Sequence, residues 1–228
     1  MKQDVARQSG APRESADEAA DAGQPNGPAG MTKGQMTRAR ILCTASRLLG
    51  TMSPVTLSVA AIAKESGVSP AAFYQYFSDV SDLLGILCAG VTTRMCDAFE
   101  ASSLFLSRAA VEADGYAFLD MLGEAWDRQG CILNYRNMEA DRGDPGCSAL
   151  RQEWSRHVIA RLNKLILSDQ TKTPPLSFEE AGAEALVVFT AMERLAAAVR
   201  REQISPEGAE RIRHAQVRVL MRTFGNSR

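Results

Sequence analysis

The sequence predicts an all-α fold: a small three-helix domain with a helix-turn-helix corner, then a larger helical domain. Three observations predict it. Apolar residues recur at helical spacing along the chain, and nowhere do they alternate with a period of two over a strand's length. Helix-starting residues (Ser, Asp, or Ser followed by Pro) stand in front of the periodic runs. A glycine at position 67 separates two short helical segments, the second opening with Ser69-Pro70.

Each element follows in order. Residues 1–31 are rich in Ala, Gly and Pro and hold almost nothing large and apolar, so the segment reads as a disordered tail. Arg38 to Leu49 puts Ile41, Leu42, Ala45, Leu48 and Leu49 on one stripe that ends at Gly50. Ser58 caps a shorter helix with Val59, Ile62 and Ala63 inward, and Ser66-Gly67-Val68 breaks it. Gly67 sits where the turn needs a positive φ. Ile62 and Val68 are spaced to pack the two short helices together, and the second runs through Phe73, Tyr74 and Phe77. Phe73 and Phe77 read as core, Tyr74 and Tyr76 as solvent-facing.

Asp79 then caps a long helix carrying Leu83, Leu84, Leu87, Val91 and Met95. Tyr116 to Arg128 and Cys131 to Asp141 read as helices interrupted near Gly130. Residues 143–146 (Gly-Asp-Pro-Gly) read as a loop, and Ala149 to Leu167 as a further amphipathic helix ended by Thr173-Pro174-Pro175. Ser177-Phe178-Glu179-Glu180 is a capping box opening a helix to about Gln203, and Ser205-Pro206 starts the last one, to about Phe224. The domains are expected at 32–79 and 80–228 after the tail.

The 228 residues carry a net charge of −1, which on its face argues against a nucleic-acid partner. Divided by segment, the charge points the other way. Residues 1–30 carry −2. Residues 31–78 hold Lys33, Arg38, Arg40, Arg47 and Lys64 against the single acid Glu65, a balance of +4. The remaining 150 residues carry −3, so the neutral total hides a basic module beside the corner.

The pattern RARILCTASRLLG followed by LSVAAIAKESGVSPAAFYQYFSDVSDLL, over about residues 36–87, resembles the TetR family of transcriptional regulators. The resemblance implies that Ser69 to Tyr76 form a recognition helix in the major groove, with Pro70, Ala71, Ala72 and Gln75 facing base edges and Tyr74 donating its hydroxyl to a phosphate. The chemistry fits: Gln pairs bidentately with adenine, and Ala contacts a thymine methyl. Ser58, at a helix N-terminus, would hold a second phosphate, and Arg38 and Arg40 would reach the flanking backbone. The family commonly has a Lys where this chain has Val80, between Asp79 and Asp82, so that phosphate contact is absent.

The resemblance also implies a ligand-binding and dimerising domain from Leu83 onward. Phe105, Phe118, Met121, Leu122, Trp126, Tyr135, Met138, Trp154 and Phe189 are its candidate pocket walls for a small hydrophobic effector, with Asn134, Arg136 or Glu124 fixing orientation. Small residues on the last two helices suit a homodimer through a four-helix bundle, with Ala181, Ala185, Phe189, Met192, Ile212 and Val219 at the interface. An intramolecular core explains the same pattern.

The function that follows is a ligand-responsive regulator, a repressor released from a palindromic operator on double-stranded DNA. A transcriptional activator of the same fold, or a helical interaction module that never meets DNA, are the alternatives. No catalytic motif stands in the sequence, and no cofactor or metal is expected. His157 and His214 read as members of charged helix faces. No run is long and apolar enough to span a bilayer and no signal segment is apparent, so a cytoplasmic, non-membrane protein is expected. The five cysteines read as reduced thiols, mostly core, with Cys131 and Cys147 the candidates for redox sensing.

Overall fold

Eight α-helices and two short 3-10 helices (Pro54–Thr56 and Arg108–Ala110) make up the regular structure in the computed structural model, which describes residues 31–169, 174–201 and 204–225. The α-helices are α1 (Lys33–Leu48), α2 (Val59–Ser66), α3 (Pro70–Phe73), α4 (Val80–Glu100), α5 (Val111–Asp141), α6 (Pro145–Leu167), α7 (Phe178–Arg201) and α8 (Pro206–Phe224). No strand occurs among the described residues. The tail expectation for residues 1–30, Thr173 and the Gln203 helix end lie outside the described residues. Contacts divide the chain at Ala39–Arg40, so the body treated below begins at Arg40.

Local chemistry sets most helix starts. Ser177 and Glu180 form the reciprocal box, Ser177 N–H donating to Glu180 Oε2 at 2.9 Å and Glu180 N–H to Ser177 Oγ at 3.2 Å. Ser205 Oγ accepts from Gly208 N–H at 3.1 Å with Pro206 in the first turn. The start of α6 differs from the sequence reading. Asp144 Oδ1 accepts from Cys147 N–H at 2.7 Å, so α6 starts at Pro145 and the expected Gly-Asp-Pro-Gly loop shrinks to its first two residues. The interruption expected near Gly130 is present: within α5 Gln129 leaves the helical region (φ −135°, ψ 19°), so Val111–Asp141 is two helical stretches joined at a kink.

Packing centres on α6. The Trp154 ring lies 5.9 Å from Phe99 of α4, 6.3 Å from Phe118 of α5 and 6.2 Å from Phe189 of α7, and Phe105 completes the cluster at 5.4 Å from Phe118. Phe105 itself has a positive φ of 59°, a strained conformation that its N–H bond to Asp114 Oδ2 (2.8 Å) helps to hold. Arg161 of α6 clamps the same α4–α5 connection, donating to the carbonyls of Glu100, Ser102 and Leu104 at 3.1 Å each. Arg108 fastens the C-terminal end, bonding Leu165 O at 3.2 Å, Asp169 Oδ2 at 2.9 Å and the Gly225 carbonyl.

His157 does not belong to a solvated face. Its Nδ1 lies 2.6 Å from Glu100 Oε1, tying α6 to α4, and the hydrogen bonds from His157 and Arg161 hold the Glu100 carboxyl below the usual carboxylate range. His214 stays on an exposed face beside Glu210, as expected.

A polar knot is buried where α4, α5 and α7 meet. Arg136 is fully buried and donates to Thr92 Oγ1 at 3.0 Å and Asn137 Oδ1 at 3.0 Å, with Glu193 Oε1 3.4 Å away. Burial pushes the Glu193 carboxyl up, and the guanidinium only partly opposes it. An acid whose folded pKa is raised contributes its stability at low pH and loses it as pH rises. Arg136→Leu removes the opposing cation, so it is expected to destabilise by about 3 kcal/mol or more. Denaturant unfolding should show a larger loss at about pH 8 than at about pH 5.

Candidate nucleic-acid interface

The corner is built from caps and one glycine. Ser58 Oγ accepts from Ala61 N–H at 3.2 Å and starts α2. Gly67 ends it in the left-handed region (φ 68°, ψ 33°), and Val68 N–H bonds Ala63 O at 3.0 Å, closing the orphan carbonyls of the last turn. Ser69 Oγ then accepts from Ala72 N–H at 3.1 Å with Pro70 in the first turn of α3. Inside the corner, Ile62 and Phe73 are wholly buried, Phe77 nearly so, and Val68 packs against them.

Regular helix is shorter than the Ser69–Tyr76 span read from sequence. After Phe73 the chain tightens into i→i+3 bonds, Gln75 N–H to Ala72 O at 3.3 Å and Tyr76 N–H to Phe73 O at 2.9 Å. The cause lies just downstream. Asp79 is the extended N-cap of α4, accepting from Asp82 N–H at 2.8 Å, while Asp82 Oδ2 accepts from Ser78 N–H at 2.9 Å. Phe77 N–H closes a last i→i+4 bond to Phe73 O at 3.1 Å, and both rings are buried before the chain reaches the cap.

Small and polar side chains face outward from the corner. Ser58, Ser69, Pro70, Ala71 and Gln75 are exposed, and Tyr74 is 59% exposed with its ring set edge-on to Phe73 at 5.6 Å. Ala72 is half-buried. Tyr76 is also half-buried and packs on the core, so it is less free than its sequence position implies. Arg40 is exposed on α1, and Arg38 is half-buried there. Arg47, one of the basic residues counted in the module, is paired with Glu65 at 2.6 Å across α1 and α2. Lys64, exposed on α2, is a further cation on this domain that no motif position singles out in the sequence. Val80 is half-buried against the core, so no cation stands at that position.

The residues expected to line one pocket divide between the core and two cavities. Phe105, Phe118, Trp154 and Phe189 are core rings; Leu122 and Trp126 are buried, while Met121, Asn134, Tyr135 and Met138 are half-buried. A cavity of about 340 Å³ lies against Trp126, Asn134 and Phe189, and a smaller one of about 220 Å³ against Met121, Leu122 and Trp154. The expected dimer residues divide as well. Ala181, Ala185, Phe189 and Met192 are buried within the protomer, where α7 packs on α6, and Ile212 is half-buried. Val219 is exposed, as are Leu186 and Val187 on the outer side of α7. Among the thiols, Cys43 and Cys131 are exposed, whereas burial pushes Cys147 up to about 11 and Cys88 to about 12. Among the described residues no His, Cys, Asp and Glu cluster suits a metal ion, and no helix is long and apolar enough to cross a membrane.

Residues 41–85 match the family model of bacterial regulatory proteins, tetR family. No curated protein matches the sequence. Solved structures share the fold over most of the chain. The fatty acid degradation regulator FadR from Bacillus halodurans is 13% identical, with a TM-score of 0.63 over 81% of this chain and 94% of its own. FadR from Bacillus subtilis, solved with stearoyl-CoA, is 14% identical, with a TM-score of 0.62 over 83% and 99%. GusR from Salmonella enterica is 17% identical, with a TM-score of 0.59 over 83% and 98%.

At Gly67 a Cβ would meet nothing within 4 Å, so only the backbone conformation resists substitution. Gly67→Ala should destabilise the protein by about 1 kcal/mol and Gly67→Asn by less, since Asn tolerates the left-handed region. Denaturant midpoints of the two variants check the order.

Proposed function

We propose that this chain, whose helix-turn-helix is of the tetR family, is a dimeric, ligand-responsive regulator that binds a two-fold symmetric operator and is released from it by a small hydrophobic effector, acting as a repressor. The observation that carries the reading is the corner itself. It buries Phe73 and Phe77 while leaving Pro70, Ala71, Tyr74 and Gln75 outside, on a segment flanked by two serine-capped helix starts. Pro70, Ala71 and Gln75 meet base edges, Tyr74 and Arg40 grip phosphates, and Ser58 supports a second phosphate contact at the start of α2.

Dimerisation follows from the same reading, because a palindrome needs two heads about 34–36 Å apart. With Ala181, Ala185, Phe189 and Met192 committed to the protomer's own core, the partner meets the opposite side of α7 and the adjoining face of α8. Val187 is 69% exposed there, flanked by Ala183 and by Val219 and Thr223 of α8. An effector bound in the α4–α7 body acts on release through α4, which begins three residues after Phe77 and so transmits any shift to the reading head.

Selection of bound sequences from a random duplex pool tests the proposal, and a palindrome is the expected product. On that duplex, Tyr74→Phe and Arg40→Ala should weaken binding on all sequences alike. Gln75→Ala should cost about 1–3 kcal/mol of discrimination at one base position in each half-site. Gel shifts unchanged in all three variants would overturn the placement.

A further inference from the structure

We propose that the cavity of about 220 Å³ between α4, α5 and α6 is the effector site, and that its ligand is a medium-length carboxylate carrying an oxygen acceptor at the end remote from the acid. The inference rests on the regulator reading above and deepens it. Val91 and Met95 of α4, with Met121, Leu122 and Ala125 of α5, wall the cavity, and Trp154 of α6 completes it. Its volume falls below the roughly 300–1,000 Å³ of sites for drug-sized molecules, which sets the chain length.

Two polar features select the ligand. Trp154 is wholly buried and its Nε1–H has no hydrogen-bond partner, in a protein interior where an unpaired donor costs about 1–3 kcal/mol. A ligand oxygen reaching it removes that cost. At the rim stand Arg94, Arg128 and Glu124, of which Arg128 is already paired with Glu124 at 3.1 Å. Arg94, exposed, is the cation left for an acid group.

Two larger cavities on the α5–α8 side lack this combination. In the cavity of about 380 Å³ between α5, α7 and α8, Asp120 is paired with Arg213 at 2.7 Å and Asp127 with Arg200 at 2.5 Å. In the one of about 340 Å³, Arg151 is paired with Asp141 at 2.5 Å and Glu193 faces Arg136. The first holds a buried donor without a partner, Arg213 Nε, but its arginines are spent on Asp120 and Asp127; the second holds an exposed arginine, Arg194, but no buried donor without a partner.

Calorimetric titration with 7-oxooctanoate, octanoate and octan-2-one tests the assignment. The oxo-acid should bind about tenfold more tightly than either relative, one advantage from the indole hydrogen bond and the other from Arg94. Trp154→Phe should erase the advantage over octanoate, and Arg94→Gln the advantage over octan-2-one, each leaving the other intact. A merely structural role for Trp154 would weaken all three ligands equally and overturn the proposal. Met121→Trp, at a half-buried wall position, should abolish binding of all three without lowering the unfolding midpoint. Binding that survives it, or an oxo-acid no tighter than octanoate, also overturns the site.

Gel shifts run beside the titration separate the two readings. Operator binding with a silent cavity defeats this assignment alone. The expected ligand pattern without duplex binding upholds the site and defeats the regulator.

Discussion

One indole sets the spacing of the helical body. Trp154 reaches from α6 to rings on α4, α5 and α7, so a single side chain fixes four helices against one another. A buried aromatic of this size removes roughly 150–250 Å² from water, worth about 4–6 kcal/mol at 25 cal/mol per Å². The same burial strands its N–H. The residue that holds the body together therefore also holds an unmet demand for an acceptor, and the cavity beside it is where that demand can be met. Packing and the proposed ligand recognition would then be two consequences of one position.

The polar knot at Arg136 works differently. Each nitrogen of its guanidinium finds an oxygen on Thr92, Asn137 or Glu193, yet burial still pushes Glu193 upward. A buried ion pair of this kind adds little net stability but punishes any arrangement that parts its members. It fastens α4 to α5 and α7 in one register. An effector that moves α4 must work against that fastening as well as against the aromatic cluster.

Signals confined to a few residues were legible in the sequence. Ser58, Ser69, Asp79, Ser177 with Glu180, and Ser205 all cap as their spacing implies, and Gly67 adopts the conformation its place requires, because each depends only on the next three residues. Long-range choices were not. A row of small residues on α7 suits the chain's own α6 as well as a second copy, and only the folded body shows that Ala181 and Ala185 are spent internally. Core rings and pocket rings have the same composition, so Phe105 and Phe118 could not be told from Met121. The pairing of His157 with Glu100 spans 57 residues and has no local signature.

Charge is the last constraint on how such a head can work. The +4 of residues 31–78 overstates what duplex would meet. Arg47 is tied to Glu65, and Asp79 and Asp82, spent on capping α4, bring two negative charges to the edge of the reading surface where Val80 offers no cation. A head with this balance neutralises few phosphates, and affinity falls with each contact forgone. Two heads joined in one molecule escape that limit, because the second binds at the effective concentration set by the first. The weaker each head is alone, the more completely occupancy depends on their spacing. In the proposed dimer, a small displacement of α4 in each protomer would then be enough to take both heads off the duplex.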